Sequence, residues 1–328
     1  EVADVDRLVQ SLLQGGASPG DCVVAIGGGS AIDLAKAAAA LVTNQPDDSS
    51  LPNSAPAPSV LDYLEGVGRG LTITRPPLPL IVLPTTSGTG SEATKNAVIN
   101  SYDPAWKKSM RSNLMVPRVA LVDPELSVSV PPQTTAYTGM DAITQLIESY
   151  VCRNARPVPC ALAVEGLRQA LPAIVTAVRD GHSRPAREAM AHAALLSGIA
   201  LANSGLGLAH GVAAALGSLV KVPHGLACAV MLPVALRVNH EVSQTALATL
   251  AQETLGVDAR QEAVAAERFI VHIESLCHEL EIPTRLAALG VTREQIPALV
   301  PASRGNSMNG NPRQLDDREL TELLESIW

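Results

Sequence analysis

The chain has 328 residues, of which 47% are hydrophobic and only 2% aromatic, so its length suggests about two domains with aliphatic cores. Its formal net charge of −8 argues against nucleic acid as a main partner, because a phosphate backbone requires a basic surface. We find neither an apolar run long enough for a membrane span nor a signal-peptide pattern, and we therefore expect no membrane partner.

The five cysteines are scattered, odd in number and mostly placed in apolar runs. This pattern predicts reduced, structural thiols in a cytoplasmic protein. The chain opens on apolar residues at helical spacing, among them Val5, Leu8 and Leu12, without a methionine. We therefore expect that an N-terminal part is missing from this sequence. The pattern leaves the oligomeric state open, a homo-oligomer included.

The first strand signal is followed at once by a glycine-rich turn. Residues 21–26 form a short apolar run with β-branched members and predict a buried strand. The turn GGGS occupies residues 27–30, and a helix is expected over residues 31–42. This order lets backbone N–H groups approach a phosphate at the start of a helix. A tight turn without any ligand is the alternative interpretation.

A second strand leads into a turn rich in hydroxyl groups. Residues 44–59 are rich in Pro, Ser, Asn and Asp and predict a surface loop. Residues 78–83 predict another buried strand, which continues into PTTSGTGSE at residues 84–92. Hydroxyl groups and free amides in such a turn can bind pyrophosphate and ribose. A capping turn rich in Ser and Thr is the alternative.

The pattern changes after Pro131 and Pro132, where we place a domain boundary. Before it, a hairpin with a basic edge and a strand at residues 119–122 complete an α/β, Rossmann-like, parallel-sheet domain over residues 1–132. Beyond it, alanine and leucine recur at helical spacing, and residues 133–328 are expected to be all-helical. The main helices are predicted at residues 134–151, 159–180, 184–204, 208–219 and 226–239.

Two histidines and one aspartate suggest a metal site. Asp141, Gln145 and Glu148 share one face of a predicted helix. His210 opens an apolar helix, and His224 follows a proline at the turn into the next helix. One carboxylate and two imidazoles can hold zinc or ferrous iron with an open coordination position. Two histidines with structural roles are the alternative.

These motifs resemble, in order, those of the iron-containing (group III, metal-dependent) alcohol dehydrogenases, which belong to the dehydroquinate synthase-like fold group. The resemblance covers nearly the whole chain through VVAIGGGSAIDLAK, LPTTSGTGSEAT, VALVDPEL, TGMDAITQLIESY, GLAHGVAAALG, VPHGLACAVMLP and GNPRQL. It implies a nucleotide-binding domain, an all-helical domain, and a divalent metal with a nicotinamide cofactor in the cleft between them.

The resemblance also implies individual residues. The cofactor, NAD or NADP, would be bound by Gly28, Gly29, Ser30, Asp33, Thr85, Thr86, Ser87, Thr89, Thr94 and Lys107. Asp141, His210 and His224 fall on the metal-ligand positions, with Fe²⁺ or Zn²⁺ as the ion. The chain departs from the family at two places, because Gln145 and Ala214 stand where the family usually has histidines.

The favoured hypothesis is an NAD(P)-linked alcohol dehydrogenase or aldehyde reductase that acts on a small alcohol or aldehyde. In such chemistry a metal polarises the carbonyl oxygen and a nicotinamide delivers the hydride. A carbon–oxygen lyase of the dehydroquinate synthase type is one alternative, disfavoured by the scarcity of lysine in the second domain. A metal-free, degenerate binding protein is another, which Gln145 and Ala214 keep open.

Overall fold

The structure, a computed structural model, describes residues 1–45 and 59–328. Residues 46–58, the greater part of the loop expected at residues 44–59, lie outside the described residues. The chain divides into two compact units, of which the first contains Glu1–Thr85 and Ser91–Asp123. The second contains Thr86–Gly90 and Pro124–Trp328. The division that the sequence predicts at residue 132 falls at the start of the first long helix of the second unit.

The first unit holds a parallel sheet and an antiparallel hairpin. Its elements are, in chain order, α1 Val2–Gln14, β1 Val23–Gly27, α2 Gly29–Thr43, β2 Leu80–Pro84, β3 Asn96–Tyr102, β4 Ala105–Arg111 and β5 Val119–Ala120. The sheet has the order β1–β2–β5 with parallel pairing throughout, and β3 pairs antiparallel with β4. The predicted parallel-sheet architecture is therefore confirmed.

Among the described residues, only one face of strand β1 is covered. Ala25 packs with Val82 of β2 against Ile32 of α2. On the opposite face Val24 and Ile26 are 54% and 62% exposed. The prediction of a buried strand is thus wrong for half of its side chains. A short apolar run in the sequence does not show whether a strand is covered on both faces or on one face only.

The second unit is built from helices. They are α3 Pro132–Val151, α4 Pro157–Arg179, α5 Arg184–Asn203, α6 Leu208–Leu219, α7 His224–Asn239, α8 Gln244–Leu255, α9 Glu262–Glu279, α10 Ile296–Ala302, α11 Asn306–Asn309 and α12 Asp317–Ser326. Residues 124–328 are all described, and they contain no strand. The expectation of an all-helical C-terminal part is therefore confirmed. Helix α7 begins at His224, two residues before the predicted start.

Glycines allow the helices of the second unit to approach closely. A Cβ added at Gly139 of α3 would lie 2.8 Å from Ile174 Cδ1 of α4. A Cβ added at Gly198 of α5 would lie 2.8 Å from Gly90 Cα, in the segment Thr86–Gly90 that belongs to this unit. Because real Cβ atoms do not approach other atoms so closely, these positions tolerate only glycine without a shift of the backbone or side chains.

Helix α4 is, among the described residues, long and apolar enough to cross a membrane by length and composition alone. Glu165 and Arg168 interrupt its apolar sequence. Its buried residues Ala163, Leu167 and Ile174 belong to the aliphatic core of the second unit. A core helix satisfies the same criteria as a membrane span, and we interpret α4 as a core helix.

The close approach at Gly198 leads to a stability prediction. We expect Gly198→Ala to lower the free energy of unfolding by about 1–3 kcal/mol, because the added methyl group overpacks the contact with Gly90. Gly217→Ala in α6 is the matched control, since its Cβ would meet only Val222 O at 3.7 Å. That change should stabilise the helix by roughly 0.5–1 kcal/mol. Urea denaturation followed by far-ultraviolet circular dichroism measures both, and equal stability of the two variants would contradict the prediction.

Candidate metal centre

Three helices of the second unit bring potential metal ligands to one point. Asp141 lies in the middle of α3, and His210 lies in the first turn of α6. His224 is the first residue of α7, and Cys228 follows one turn later on the same face. Gly225 lets this turn of α7 approach α3, because a Cβ there would lie 2.7 Å from the carbonyl carbon of Tyr137.

The potential ligand atoms lie close together. Asp141 Oδ1 is 3.2 Å from His210 Nε2 and 3.9 Å from His224 Nε2. Cys228 Sγ is 3.7 Å from His224 Nε2. All four ligand atoms lie within 4.8 Å of one another. Carboxylate, imidazole and thiol groups are donors that divalent zinc and iron accept, so the residues present fit a divalent metal ion.

A buried carboxylate orients the His210 ring. Nδ1–H of His210 donates to Glu148 Oε2 at 2.6 Å, which leaves Nε2 facing Asp141. The backbone N–H of Ala209 donates to Glu148 Oε1 at 2.7 Å and holds this carboxylate in place. Glu148, His210 and Asp141 are all buried. A carboxylate behind a ligating imidazole fixes its tautomer and raises its basicity, and Glu148 is placed for that role.

Burial and charge act against each other in this cluster. Burial alone would raise the pKa of Asp141, but the neighbouring His224 and His210 imidazoles lower this pKa to about 2. Burial disfavours the charged form of His210, yet Cys228, Asp141 and Glu148 together hold its pKa well above the usual value. Burial raises the pKa of the Cys228 thiol to about 12. Asp141 therefore stays ionised beside two imidazoles.

Gln145 supports Asp141 and turns its amide oxygen away from the cluster. Its Nε2 donates to Asp141 Oδ1 at 3.2 Å and to the carbonyl oxygen of Thr89 at 3.4 Å. Its Oε1 accepts a hydrogen bond from Ser197 Oγ at 2.7 Å. Because an amide nitrogen has no lone pair to offer a metal, this orientation makes Gln145 a positioning residue for Asp141.

The two turns expected to bind the cofactor begin at the carboxyl ends of neighbouring parallel strands. Gly27 of β1 is in register with Pro84 of β2, and the Thr85 N–H donates to Gly27 O at 3.0 Å. Gly28 precedes the first residue of α2, so Gly29 and Ser30 lie in its first turn. In the second turn Thr85, Thr86, Ser87 and Thr89 are all partly exposed. Ligands of open α/β sheets bind at this edge.

Two of the expected cofactor residues use their polar atoms within the first unit. Asp33 accepts hydrogen bonds from the Val98 N–H at 2.9 Å and from the Ser91 hydroxyl. Thr94 Oγ1 accepts from Lys36 Nζ at 2.8 Å. Lys36 is fully buried, and the sequence reasoning did not assign it a role. The Asp33 and Lys36 spacing of three residues on α2 was the signal that could have revealed it.

Lys107, the remaining expected cofactor residue, lies in the hairpin. It belongs to β4 and is paired with Asn100 of β3. This confirms the predicted hairpin with its basic edge.

Comparison with known proteins identifies the family. The chain matches the model "Iron-containing alcohol dehydrogenase" over residues 1–124 and the model "Fe-containing alcohol dehydrogenase family, C-terminal" over residues 135–328. This chain belongs to the iron-containing alcohol dehydrogenase family. The family and enzyme class predicted from the sequence, an oxidoreductase of alcohols, are confirmed. The lyase alternative is correspondingly disfavoured.

Individual relatives are similar along almost the whole chain. The NAD-dependent methanol dehydrogenase of Bacillus methanolicus is 34% identical over 93% of this chain and 77% of its own length. A crystal structure of 1,3-propanediol oxidoreductase matches with a TM-score of 0.89 at 30% identity, over 100% of this chain and 81% of that one. Sulfoacetaldehyde reductase from Bifidobacterium kashiwanohense, in complex with NAD⁺, matches with a TM-score of 0.84 at 30% identity, over 100% and 80%.

The structure adds a residue that the sequence reasoning missed. Asp141, His210 and His224, the ligands that the resemblance implies, come together, and their role as ligands stays a prediction. Cys228 joins them, although the sequence pattern predicts structural thiols. Its spacing of four residues from His224 within one helix was the signal that could have revealed it. Ala214, the second departure from the family, provides no titratable side chain.

The contact between Glu148 and His210 leads to a prediction on metal affinity. We expect Glu148→Gln to weaken metal binding by roughly 10–100-fold, because a neutral amide makes the His210 imidazole a poorer donor and holds it less firmly. Glu165→Gln, on a partly exposed side chain of α4, is the control and should leave the affinity unchanged. Competition with a chromophoric chelator measures both. An unchanged affinity in Glu148→Gln would show that this carboxylate does not support a ligand.

Proposed function

We propose that this chain is a metal-dependent alcohol dehydrogenase and aldehyde reductase that uses NAD or NADP. Its substrates would be a small alcohol and the corresponding aldehyde. The observation that carries the proposal is the buried convergence of Asp141, His210 and His224 in a member of this family. Relatives named as NAD-dependent methanol dehydrogenase and 1,3-propanediol dehydrogenase support the substrate class. The relative determined with NAD⁺ supports the cofactor.

In the oxidative direction the alcohol carbon gives a hydride to the nicotinamide, and the alcohol oxygen loses a proton. The products are an aldehyde, the reduced cofactor and a proton. Asp141 Oδ1, His210 Nε2 and His224 Nε2 would hold Fe²⁺ or Zn²⁺. Such an ion would supply Lewis acidity to the substrate oxygen.

The surrounding residues keep these ligands in position. Glu148 accepts the Nδ1–H of His210 and so leaves Nε2 facing Asp141, where it would be available to a metal ion. The Gln145 amide donates to Asp141 Oδ1 and restricts this carboxylate. Asp141 and His210 are buried, which keeps water away from these two ligands. His224 is about one-third exposed, so this residue marks the open side of the cluster.

The cofactor phosphates and ribose would bind at the two turns after β1 and β2. Backbone N–H groups of Gly28, Gly29 and Ser30 at the start of α2 provide an anion site of the kind found at helix N-termini. The hydroxyl groups of residues 85–89 provide further hydrogen bonds. We infer that Asp33 and Thr94 stabilise these turns together with Lys36, because the polar atoms of Asp33 and Thr94 form hydrogen bonds within the first unit. Lys107 stays a predicted neighbour of the cofactor.

A cytoplasmic location belongs to the same proposal. All five cysteines are described and are free thiols. Free thiols are common in a reducing compartment. Secretion would expose the partly accessible thiols of Cys22 and Cys160 to oxidation.

A panel of small alcohols and aldehydes tests the function directly. Protein stripped of metal is reloaded with zinc, with ferrous iron or with no metal, and is assayed with NAD(H) and with NADP(H). We expect absorbance changes of the reduced nicotinamide for at least one alcohol–aldehyde pair, and only with a metal. Metal-loaded protein that turns over none of the panel with either cofactor would contradict the proposal.

The ligand role of His210 gives a second test. His210→Ala should abolish metal retention and turnover together, with an affinity loss on the order of 100-fold or more, because the cluster then loses the buried imidazole that Glu148 holds in place. His192→Ala is the control, since His192 is an exposed histidine on α5. Elemental analysis by mass spectrometry gives the metal content of each. Retention of a full equivalent of metal by His210→Ala would remove His210 from the ligand set.

A further inference from the structure

We propose that Cys228 is the fourth protein ligand of this metal centre and that its thiolate makes the resident ion zinc rather than ferrous iron. The proposal rests on the proposed function, because it assumes that Asp141, His210 and His224 hold a metal. It adds a ligand that the resemblance does not imply, and it selects between two ions that the resemblance leaves open.

Two of the distances between the ligand atoms are close to those of a tetrahedron around zinc. Zinc bonds of about 2.0–2.1 Å to nitrogen, 2.0–2.2 Å to oxygen and 2.3 Å to sulfur require ligand–ligand distances of roughly 3.3–3.6 Å. The cluster has 3.2 Å from Asp141 Oδ1 to His210 Nε2, 3.9 Å from Asp141 Oδ1 to His224 Nε2, and 3.7 Å from His224 Nε2 to Cys228 Sγ. All remaining pairs lie within 4.8 Å. Shifts of a few tenths of an ångström to about 1 Å, within the range of side-chain adjustment, would close the set around one ion.

The surroundings of Cys228 differ from those of an ordinary buried cysteine. A buried free cysteine usually behaves as a small hydrophobic side chain. Cys277 on α9 is such a residue, since it belongs to the aliphatic core and its Sγ lies 3.8 Å from the Ala229 carbonyl oxygen. Cys228 is equally buried, but its sulfur shares a cluster with one carboxylate and two imidazoles. The chain therefore contains its own matched control.

Gln145 does not compete for the fourth position. Its Oε1 is engaged by the Ser197 hydroxyl, and its amide N–H group is directed at Asp141. A rotation that offered Oε1 to the ion would remove both hydrogen bonds. The donor missing from α3 is thus replaced by a donor on α7, the helix that meets α3 at Gly225 and Tyr137.

A thiolate ligand changes which metal the cluster prefers. Thiolates favour softer ions, and among divalent ions the general order of affinity places zinc above ferrous iron. Binding replaces the S–H bond by a sulfur–metal bond and releases the proton to solvent. We therefore expect the full chain, offered equal zinc and ferrous iron without oxygen, to take up mainly zinc.

Cobalt substitution tests the sulfur ligand directly. Co²⁺ replaces zinc in tetrahedral sites, and a thiolate ligand gives a charge-transfer absorption in the near ultraviolet that nitrogen and oxygen ligands do not. We expect this band in the wild-type protein and in Cys277→Ser, and its loss in Cys228→Ser and Cys228→Ala. Zinc affinity, measured by chelator competition, should fall on the order of 10-fold or more in both Cys228 variants and stay unchanged in Cys277→Ser.

The outcomes separate this proposal from the proposed function. The absence of the thiolate band from the cobalt-loaded wild-type protein would overturn the role of Cys228. This test does not depend on whether any variant folds. If the alcohol and aldehyde panel is then still turned over, the proposed function stands with three ligands. A thiolate band that depends on Cys228, in a protein that turns over no substrate of the panel, supports the ligand and contradicts the function. A preference for ferrous iron over zinc in the competition would overturn the choice of ion.

Discussion

The cluster of potential metal ligands depends on the buried contact between Glu148 and His210. An imidazole can present either ring nitrogen, and only a fixed hydrogen bond at Nδ1 determines that Nε2 faces Asp141. Glu148 supplies that bond at 2.6 Å and is itself held by the Ala209 N–H at the start of α6. A Cβ at Gly207 would lie 2.8 Å from Glu148 Oε1, so the glycine before α6 leaves the space that this carboxylate occupies. The orientation of one imidazole thus depends on the path of the backbone just before the helix.

The convergence of the potential ligands also requires close packing of the helices, which the amino-acid composition allows. With 2% aromatic residues, the core of the second unit is filled mainly by alanine, leucine, isoleucine and valine. Gly139, Gly198 and Gly225 occupy points where another chain segment comes too near for a side chain. Potential ligands on α3, α6 and α7 can therefore meet without long side chains. A larger side chain at any of these glycines would push the neighbouring segments apart without itself replacing a potential ligand.

The sequence predicted the elements well, because their signals are local. The helical spacing of alanine and leucine predicted the bounds of α6 that the structure shows. The proline before His224 predicted the turn into α7. Contacts between distant segments were not accessible in this way. The Lys36 hydrogen bonds to Ser91 and Thr94 join residues more than fifty positions apart. Which face of β1 is exposed also depends on the segments that pack against the strand, and the apolar run of the strand itself does not determine this.

The orientation of Gln145 and the participation of Cys228 have a common physical origin. The resemblance locates ligands by position along the chain, whereas an ion responds only to atoms that reach one point in space. Because α7 starts against α3 at Tyr137, one helical turn before Asp141, a donor on either helix can reach the same point. The loss of a histidine at residue 145 therefore does not by itself leave an incomplete ligand set. The facing helix α7 can supply the missing donor, because His224 and Cys228 present two donor atoms from one of its faces.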